Sequence, residues 1–427
     1  MPPRIPHNGT PLGAIPRILP KLLYTHRLAG RTATLITVSK AGFASLLAAA
    51  LAVRLLFILT TFGTTDALLF MIWTHLAERE GISNAYHLTR LLNHPPLSMA
   101  IAVGADQVGT RLGLEFPDIF RLLQVAADVA SAAFVHALAS RVNPERAREY
   151  TVFFFASPAA IFLSGFHCNS DPTMIALLLA AVLCASRSAA GSGALLGASA
   201  GIKIVPLPLA PFFLIAMTWR QRFLFAGAAA AVLGGIFLPA VHYGGFTILK
   251  NIFAYSGSGA QWGFCSVGYL VAYLSQAASK AGWAWMFLYS HYGRNAALLA
   301  VIGLCIYYWR RPRPLVVMIG VALLAMNFFG PGFGVQYLVW PLPFLMFALP
   351  RRLAYALNAA LSIFTFSVYT IWAREFPWWF ADAAAPNPYR PLVAMLALPL
   401  WVLYGIAIVV ALRQSAHELR PQQLAEA

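Results

Sequence analysis

Apolar positions along this chain neither alternate nor form narrow amphipathic stripes. They run unbroken for about 20 residues at a time, the length a helix needs to cross a hydrocarbon core of roughly 30 Å. A transmembrane barrel would instead alternate in segments of about 10 residues. The runs predict helical spans near 41–62, 117–140, 150–167, 172–187, 190–203, 204–218, 223–241, 283–309, 314–330, 335–349, 353–373 and 391–412. Pro206, Pro208 and Pro211 interrupt the two short pieces 190–203 and 204–218. These are expected to be kinked or partly re-entrant, which is tolerated where protein or water satisfies the freed backbone. Segments 96–113 and 262–279 are apolar but broken by Asp106, Gln107 and Arg111 in one and Tyr269, Tyr273 and Gln276 in the other. Both are expected to lie on the membrane surface.

The predicted fold is therefore an all-α polytopic membrane protein with about 10–12 transmembrane helices. A basic tail (1–40) precedes a single membrane domain (41–412), and a short tail (413–427) follows it. Composition agrees: 60% of residues are hydrophobic and only 10% charged, against about 25% charged in soluble domains. Mean hydropathy is +0.70.

The net charge of +16 raises the question of nucleic acid. Its placement answers otherwise. Arginines cluster between apolar runs, at Arg141/Arg146/Arg148, Arg220/Arg222, Arg310/Arg311/Arg313 and Arg351/Arg352, and no aromatic–basic groove accompanies them. This is the positive-inside pattern, with the N-terminus cytoplasmic. The first 40 residues lack a short apolar core with a cleavage site and read as a tail rather than a cleaved signal. Cys168, Cys184, Cys265 and Cys305 are scattered without CxxC, so neither a disulfide framework nor a zinc site is expected.

With that orientation, the extracytoplasmic side receives 63–116, 167–171, the break near 203, 242–282, 331–334 and 374–390. The first of these, 63–116, is far longer than an ordinary connection, and long loops tend to carry function. Most of the unusual polar residues fall in these segments. Asp66 stands in TTFGTTDALLFMIW, His94 in LLNHPPL, and His167, Asn169 and Asp171 in FHCNSDPT. Lys203 stands in GIKIVPLP, and Gln336 and Tyr337 in GPGFGVQYLVWPLPF.

Each residue also has a structural reading. Asp66 suits an N-cap for a helix beginning at Ala67, and Asp171-Pro172 suits a cap followed by a first-turn proline. His94 precedes a Pro-Pro turn, His167 suits an interface, and Gln336 and Tyr337 suit interfacial anchors. Lys203, between apolar stretches, must face water, an anion or an acid, or snorkel. Arg54 and Arg294 compete for the same anion-binding role. Arg121 and Asp128, seven residues apart on one helix face, read as packing groups. Gly193, Gly197 and Gly201 form a small-residue stripe for close helix contact. The chain has no P-loop and no HExxH.

A carboxylate and a cation on one membrane face, with His, Asn, Gln and Tyr beside them, suit transfer of a sugar from a lipid phosphate to a hydroxyl. The carboxylate deprotonates the hydroxyl, and the cation receives the leaving phosphate. In its order of elements the chain resembles the C-fold superfamily of integral membrane glycosyltransferases (GT-C). These elements are a long first outer loop opening with Asp66, NHPPL closing that loop, the NSDP turn, GIKIVPLPL and QYLVWPLPF. Within it the chain is most similar to bacterial polyprenyl-phosphate-mannose-dependent mannosyltransferases, and more distantly to the eukaryotic GPI mannosyltransferase.

The resemblance covers about residues 45–350. It implies a polyprenyl-phosphate-linked sugar as donor, a lipid or glycan acceptor and an extracytoplasmic site in an inner or plasma membrane. It also implies Asp66 as the catalytic acid of the first loop and Lys203 as the contact to lipid phosphate. Two features depart from the pattern. Many relatives pair two acids in the first loop, whereas Asp66 stands alone, and one carboxylate is a poor Mg²⁺ or Mn²⁺ site. Nor is a large soluble C-terminal domain expected. A transporter or flippase is the competing reading; it predicts inverted repeats and midplane charges, neither of which is seen. A non-catalytic assembly subunit would not need several polar loops converging on one face.

Overall fold

The computed structural model describes residues 39–253, 279–331, 334–373, 379–382 and 390–417. The predicted tail 1–40 and the predicted surface helix 262–279 fall almost wholly outside these residues. Among the described residues, five helices are long and apolar enough to cross a membrane. They are α1 (Lys40–Thr60), α5 (Phe116–Val142), α11 (Trp219–Gly244), α16 (Arg351–Trp372) and Met395–Gln414 within α17 (Arg390–His417). The last helix runs past residue 412, where the tail was expected to begin.

The predicted span 150–167 is a bent pair, Pro144–Phe155 and Pro158–His167, meeting at 47°. Pro158 lacks the amide that would continue the ladder. Ser157 Oγ donates to Asn358 Oδ1 of α16 (2.7 Å), and Asn358 Nδ2 donates to the Phe153 carbonyl (3.3 Å), so α16 supports the break. Helices α8 (Asp171–Cys184) and α9 (Ala189–Ile202) have 14 residues each, which gives about 21 Å, short of a full crossing. Segment 204–218 is not one span. It holds a single 3₁₀ turn (Leu207–Leu209) and α10 (Ala210–Ile215), as three prolines in six residues require.

The long first loop is helical: α2 (Thr65–Glu80), α3 (Ile82–Leu88) and α4 (Pro96–Leu112). Helix α4 packs on α2, α5 and α9 and leaves Val108 and Leu112 exposed. After α11 come α12 (Thr247–Phe253), α13 (Ser279–Arg310) and α14 (Leu315–Phe329). A 3₁₀ stretch (Val335–Val339) and α15 (Leu345–Ala348) then lead to α16. Two two-residue strands, β1 (Gly63–Thr64) and β2 (Phe380–Ala381), pair in parallel.

Two devices hold the bundle. In the first, Arg54 of α1 and Asp128 of α5 are buried, 3.0 Å apart. Arg54 also donates to Ser164 Oγ and to the carbonyls of Ala50 and Phe155, and lies over the Phe155 ring. It is therefore a matched structural cation and not the phosphate contact that the sequence also allowed. Arg121, one face-repeat before Asp128, donates to the carbonyls of Ile58 and Thr61 and to Thr61 Oγ1. Helix α1 has no basic residue in its last turn, so Arg121 supplies the positive charge its unsatisfied carbonyls favour.

The second device is the glycine stripe. A Cβ on Gly193 would sit 2.1 Å from the Phe225 carbonyl, and on Gly197 2.9 Å from the Ala229 carbonyl, both on α11. On the other side of α9, Ser192 and Ser199 donate to the Ala181 and Met174 carbonyls of α8. This is backbone-close packing of the kind used where lipid offers no hydrophobic drive.

Two outcomes follow for purified protein. Arg54→Met or Asp128→Leu alone strands a buried charge and is expected to cost about 3–5 kcal/mol, with the double substitution recovering part of the loss; thermal unfolding in detergent reads this. Gly193→Ala is expected to cost about 1–3 kcal/mol through overpacking. Gly227→Ala, with no atom within 4 Å of the added Cβ, leaves the unfolding midpoint unchanged or raises it.

Candidate functional site

Most of the residues singled out from the sequence meet at one end of the bundle. The end of α1 turns at Thr61 into β1. Gly63 there has φ +111°, and a Cβ on it would lie 2.7 Å from the Phe166 carbonyl; only glycine fits. Thr64 Oγ1 donates to the His167 carbonyl (2.7 Å) and accepts from the Asp66 amide (3.2 Å). Thr64 is thus the N-cap of α2, and Asp66 occupies the first turn with its carboxylate free for other work. The capping role expected for Asp66 does not hold.

Opposite β1, Leu163–His167 form one π-helical turn. Cys168 follows in the left-handed region (φ 65°), the only non-glycine residue there among the described residues. Such backbone is costly and recurs at functional sites. The excursion delivers three side chains. His167 Nε2 lies 3.2 Å from Asp66 Oδ2, close in distance but without the alignment of a linear hydrogen bond. Asn169 Nδ2 donates to the same Oδ2 at 2.5 Å. The third, Asp171, opens α8 one position after the N-cap Ser170, a further correction to its expected capping role.

Asp66 Oδ2 therefore has two donors beside it, and Oδ1 has no hydrogen-bond partner among the described residues. The side chain keeps 27% exposure, and no lysine or arginine among the described residues forms an ion pair with it. Burial pushes its carboxyl up, but His167, the Asn169 donor and then His94 outweigh that and hold it at about 2.

Asp171 is fully buried, with both oxygens engaged. Lys203 Nζ lies 2.9 Å from both its oxygens, and Trp340 Nε1 donates to Oδ1 at 2.5 Å. Lys203 follows the last turn of α9 and sits over the rings of Tyr337 (5.1 Å) and Trp340 (5.5 Å). Tyr337 and Trp340 stack at 4.3 Å. Of the alternatives open to Lys203, the structure selects the acid.

His94 is buried among Phe70, Trp73 and Tyr86, and Tyr86 donates to its carbonyl (2.5 Å). Burial and then the Lys203 ammonium pull its imidazole down to about 3 against Asp66, so it is neutral. Its Nδ1 lies 3.5 Å from Ser170 Oγ. Gln336 is half-buried and folds back over Gly334. Arg294 does not join the cluster: it is exposed on α13 and donates to the Phe253 carbonyl.

Three members went unnoticed in the sequence. Trp340 lay within the quoted QYLVWPLPF without being singled out, Ser170 lay inside the NSDP turn, and Tyr369 of α16 lay in an apolar run with no local signal. Tyr369 OH is 2.8 Å from His167 Nδ1. Burial pushes the Cys168 thiol up to about 12, which leaves it unreactive. Among the described residues no group of three His, Cys, Asp or Glu is arranged to hold a metal ion.

This arrangement has one half-exposed carboxylate with an open oxygen, a second acid neutralised by a lysine, and two buried histidines at a bundle end. Chemically, the open carboxylate oxygen can accept a proton or a hydrogen bond. No curated protein matches the chain. The family model for glycosyltransferase family 87 matches residues 108–331, more than half of the chain. That stretch contains His167, Asn169, Asp171 and Lys203, while Asp66 and His94 precede it. The chain belongs to glycosyltransferase family 87 and is a membrane glycosyltransferase.

Proposed function

We propose that the chain transfers a hexose, of the mannose type, from a polyprenyl-phosphate donor to a hydroxyl of a lipid or glycan acceptor. Transfer takes place on the extracytoplasmic face with inversion, and Asp66 is the general base. The observation that carries the reading is the state of Asp66: Oδ2 clamped by Asn169 and flanked by His167, Oδ1 open. A base needs one oxygen within hydrogen-bond reach of the hydroxyl and an orientation that does not wander.

The acceptor O–H proton passes to Oδ1. The acceptor oxygen attacks the anomeric carbon from the face opposite the phosphate, and the C–O bond to phosphate breaks, its electron pair leaving with the phosphate. Lys203 is the proposed contact for that phosphate. Its pairing with Asp171 makes it a placed charge rather than a roaming one, and the rings of Tyr337 and Trp340 face its ammonium. His94, neutral at working pH, offers a ring nitrogen for sugar or phosphate, and Gln336 is the candidate for a sugar hydroxyl. No step requires a divalent metal.

Two observations support the sidedness. The site lies at the end of α1, α11 and α16, while the arginine-rich ends carry Arg146, Glu149 and Arg351 in one ion-pair cluster. The basic loops of the sequence fall on that second side. Family membership speaks for a transferase over the transporter and assembly-subunit alternatives.

Reconstituted protein, supplied with polyprenyl-phosphate mannose and a membrane lipid extract, is expected to transfer the sugar. Asp66→Asn, folded equally well, is expected to lose at least about a hundredfold in rate; undiminished transfer by that variant would remove Asp66 from the chemistry. Carboxylate donors lower a pKa by stabilising the charged form, so with Asp66 at about 2 the wild type shows no acid limb from this group between about pH 5 and 8. Asn169→Leu removes a donor, raises the Asp66 pKa and moves the acid limb of the pH–rate profile upward.

A further inference from the structure

We infer that Tyr369 is a positioning residue that fixes the tautomer of His167. In the neutral ring Tyr369 OH donates to Nδ1, the proton sits on Nε2, and Nε2–H faces Asp66. The inference rests on the reading of Asp66 as the base and names what holds its neighbour in register.

Three observations lead to it. His167 is 5% exposed and Tyr369 1%, so neither finds water as an alternative partner. Tyr369 OH lies 2.8 Å from Nδ1, and Nε2 lies 3.2 Å from a carboxylate oxygen. A ring nitrogen bearing a lone pair would be repelled by that oxygen, so the proton belongs on Nε2; Nδ1 is then an acceptor, and the phenol must donate. Third, the ring has one hydrogen bond to a nitrogen among the described residues, the one with Tyr369. It projects from a π-helical turn followed by the left-handed Cys168, and its hydrogen bond from α16 is the one that fixes its rotation. Nδ1 is thereby committed to the phenol and Nε2 already carries the proton, so His167 is not the base that accepts the hydroxyl proton. It keeps a donor beside Oδ2, and that leaves Oδ1 as the oxygen that does the accepting.

The residue was invisible in the sequence because its partner lies 202 positions away. Its role separates from plain packing because the Tyr369 ring also touches Phe162 and Phe166. Tyr369→Phe keeps those contacts and removes only the hydroxyl.

The test uses full-length protein labelled with ¹⁵N-histidine in lipid nanodiscs, with the His167 signals assigned by their loss in His167→Gln. Wild type is expected to show His167 protonated on Nε2 alone. Tyr369→Phe is expected to show a mixed population with protonated Nδ1. In the transfer assay Tyr369→Phe is expected to lower kcat about tenfold with KM for either substrate changed less than about threefold. In the His167→Gln background the same substitution is expected to cost no more than about twofold, since the two act as one unit.

A wild-type His167 protonated on Nδ1 overturns the inference, as does a Tyr369→Phe variant with unchanged tautomer and unchanged kcat. The spectrum needs no turnover. If Asp66→Asn retains transfer, the base assignment fails while the tautomer of His167 still decides the role of Tyr369. If Tyr369→Phe does not fold, the wild-type Nδ1 shift decides it: a shift that shows no hydrogen bond accepted at Nδ1 overturns the inference.

Discussion

Arg121 holds the end of α1, and the rest of the site is hung from that point. In a water-poor bundle the last carbonyls of a helix need donors from within the protein. Arg121 meets those of Ile58 and Thr61 from α5 and reaches the Gly165 carbonyl on the π-turn. One guanidinium, planar and with five donors, thereby joins three pieces of backbone at the place where the chain leaves α1 for Asp66. The Arg54–Asp128 pair, two turns deeper, locks the same two helices against sliding. The site inherits its geometry from this junction: β1 is laid against the π-turn, and Asp66 meets His167 and Asn169.

Charge is distributed economically over that frame. Two acids enter the site and are treated differently. Asp171 is buried, with both oxygens engaged by Lys203 and one also by Trp340. Asp66 is held at one oxygen and open at the other. Environment, not residue type, separates the two roles, much as two chemically identical carboxylates take different parts wherever their surroundings push them apart. His94 stays neutral beside both.

Much of this was legible beforehand, and the reasons are physical. Spans read out because hydrocarbon length demands long apolar runs. The glycine stripe read out because backbone-close packing demands small residues every four positions. Asp66, His94, His167, Asn169, Asp171 and Lys203 were found because charge and polarity stand out in an apolar chain. What stayed hidden was pairing. That Lys203 would meet Asp171, or Arg54 meet Asp128, depends on how helices 32 and 74 residues apart in sequence rotate towards each other, which no local pattern encodes. The capping roles of Asp66 and Asp171 were misjudged because Thr64 and Ser170, one or two positions earlier, took the cap positions first. Tyr369 and Trp340, aromatic residues in apolar surroundings, carry no local mark of a polar partner.

The small strand contact between Gly63–Thr64 and Phe380–Ala381 bears on how the protein is made. Phe62 donates to the Trp379 carbonyl, and Thr65 Oγ1 to Asp382, whose position lies 317 residues downstream. During synthesis the N-terminal helices enter the membrane long before those partners exist, and non-local pairings of this kind form last. The segment bearing Asp66 therefore waits, unsupported on that side, until α16 and the stretch after it have left the ribosome. A nascent or truncated chain holds most of the helices but lacks the strand partner of Gly63–Thr64.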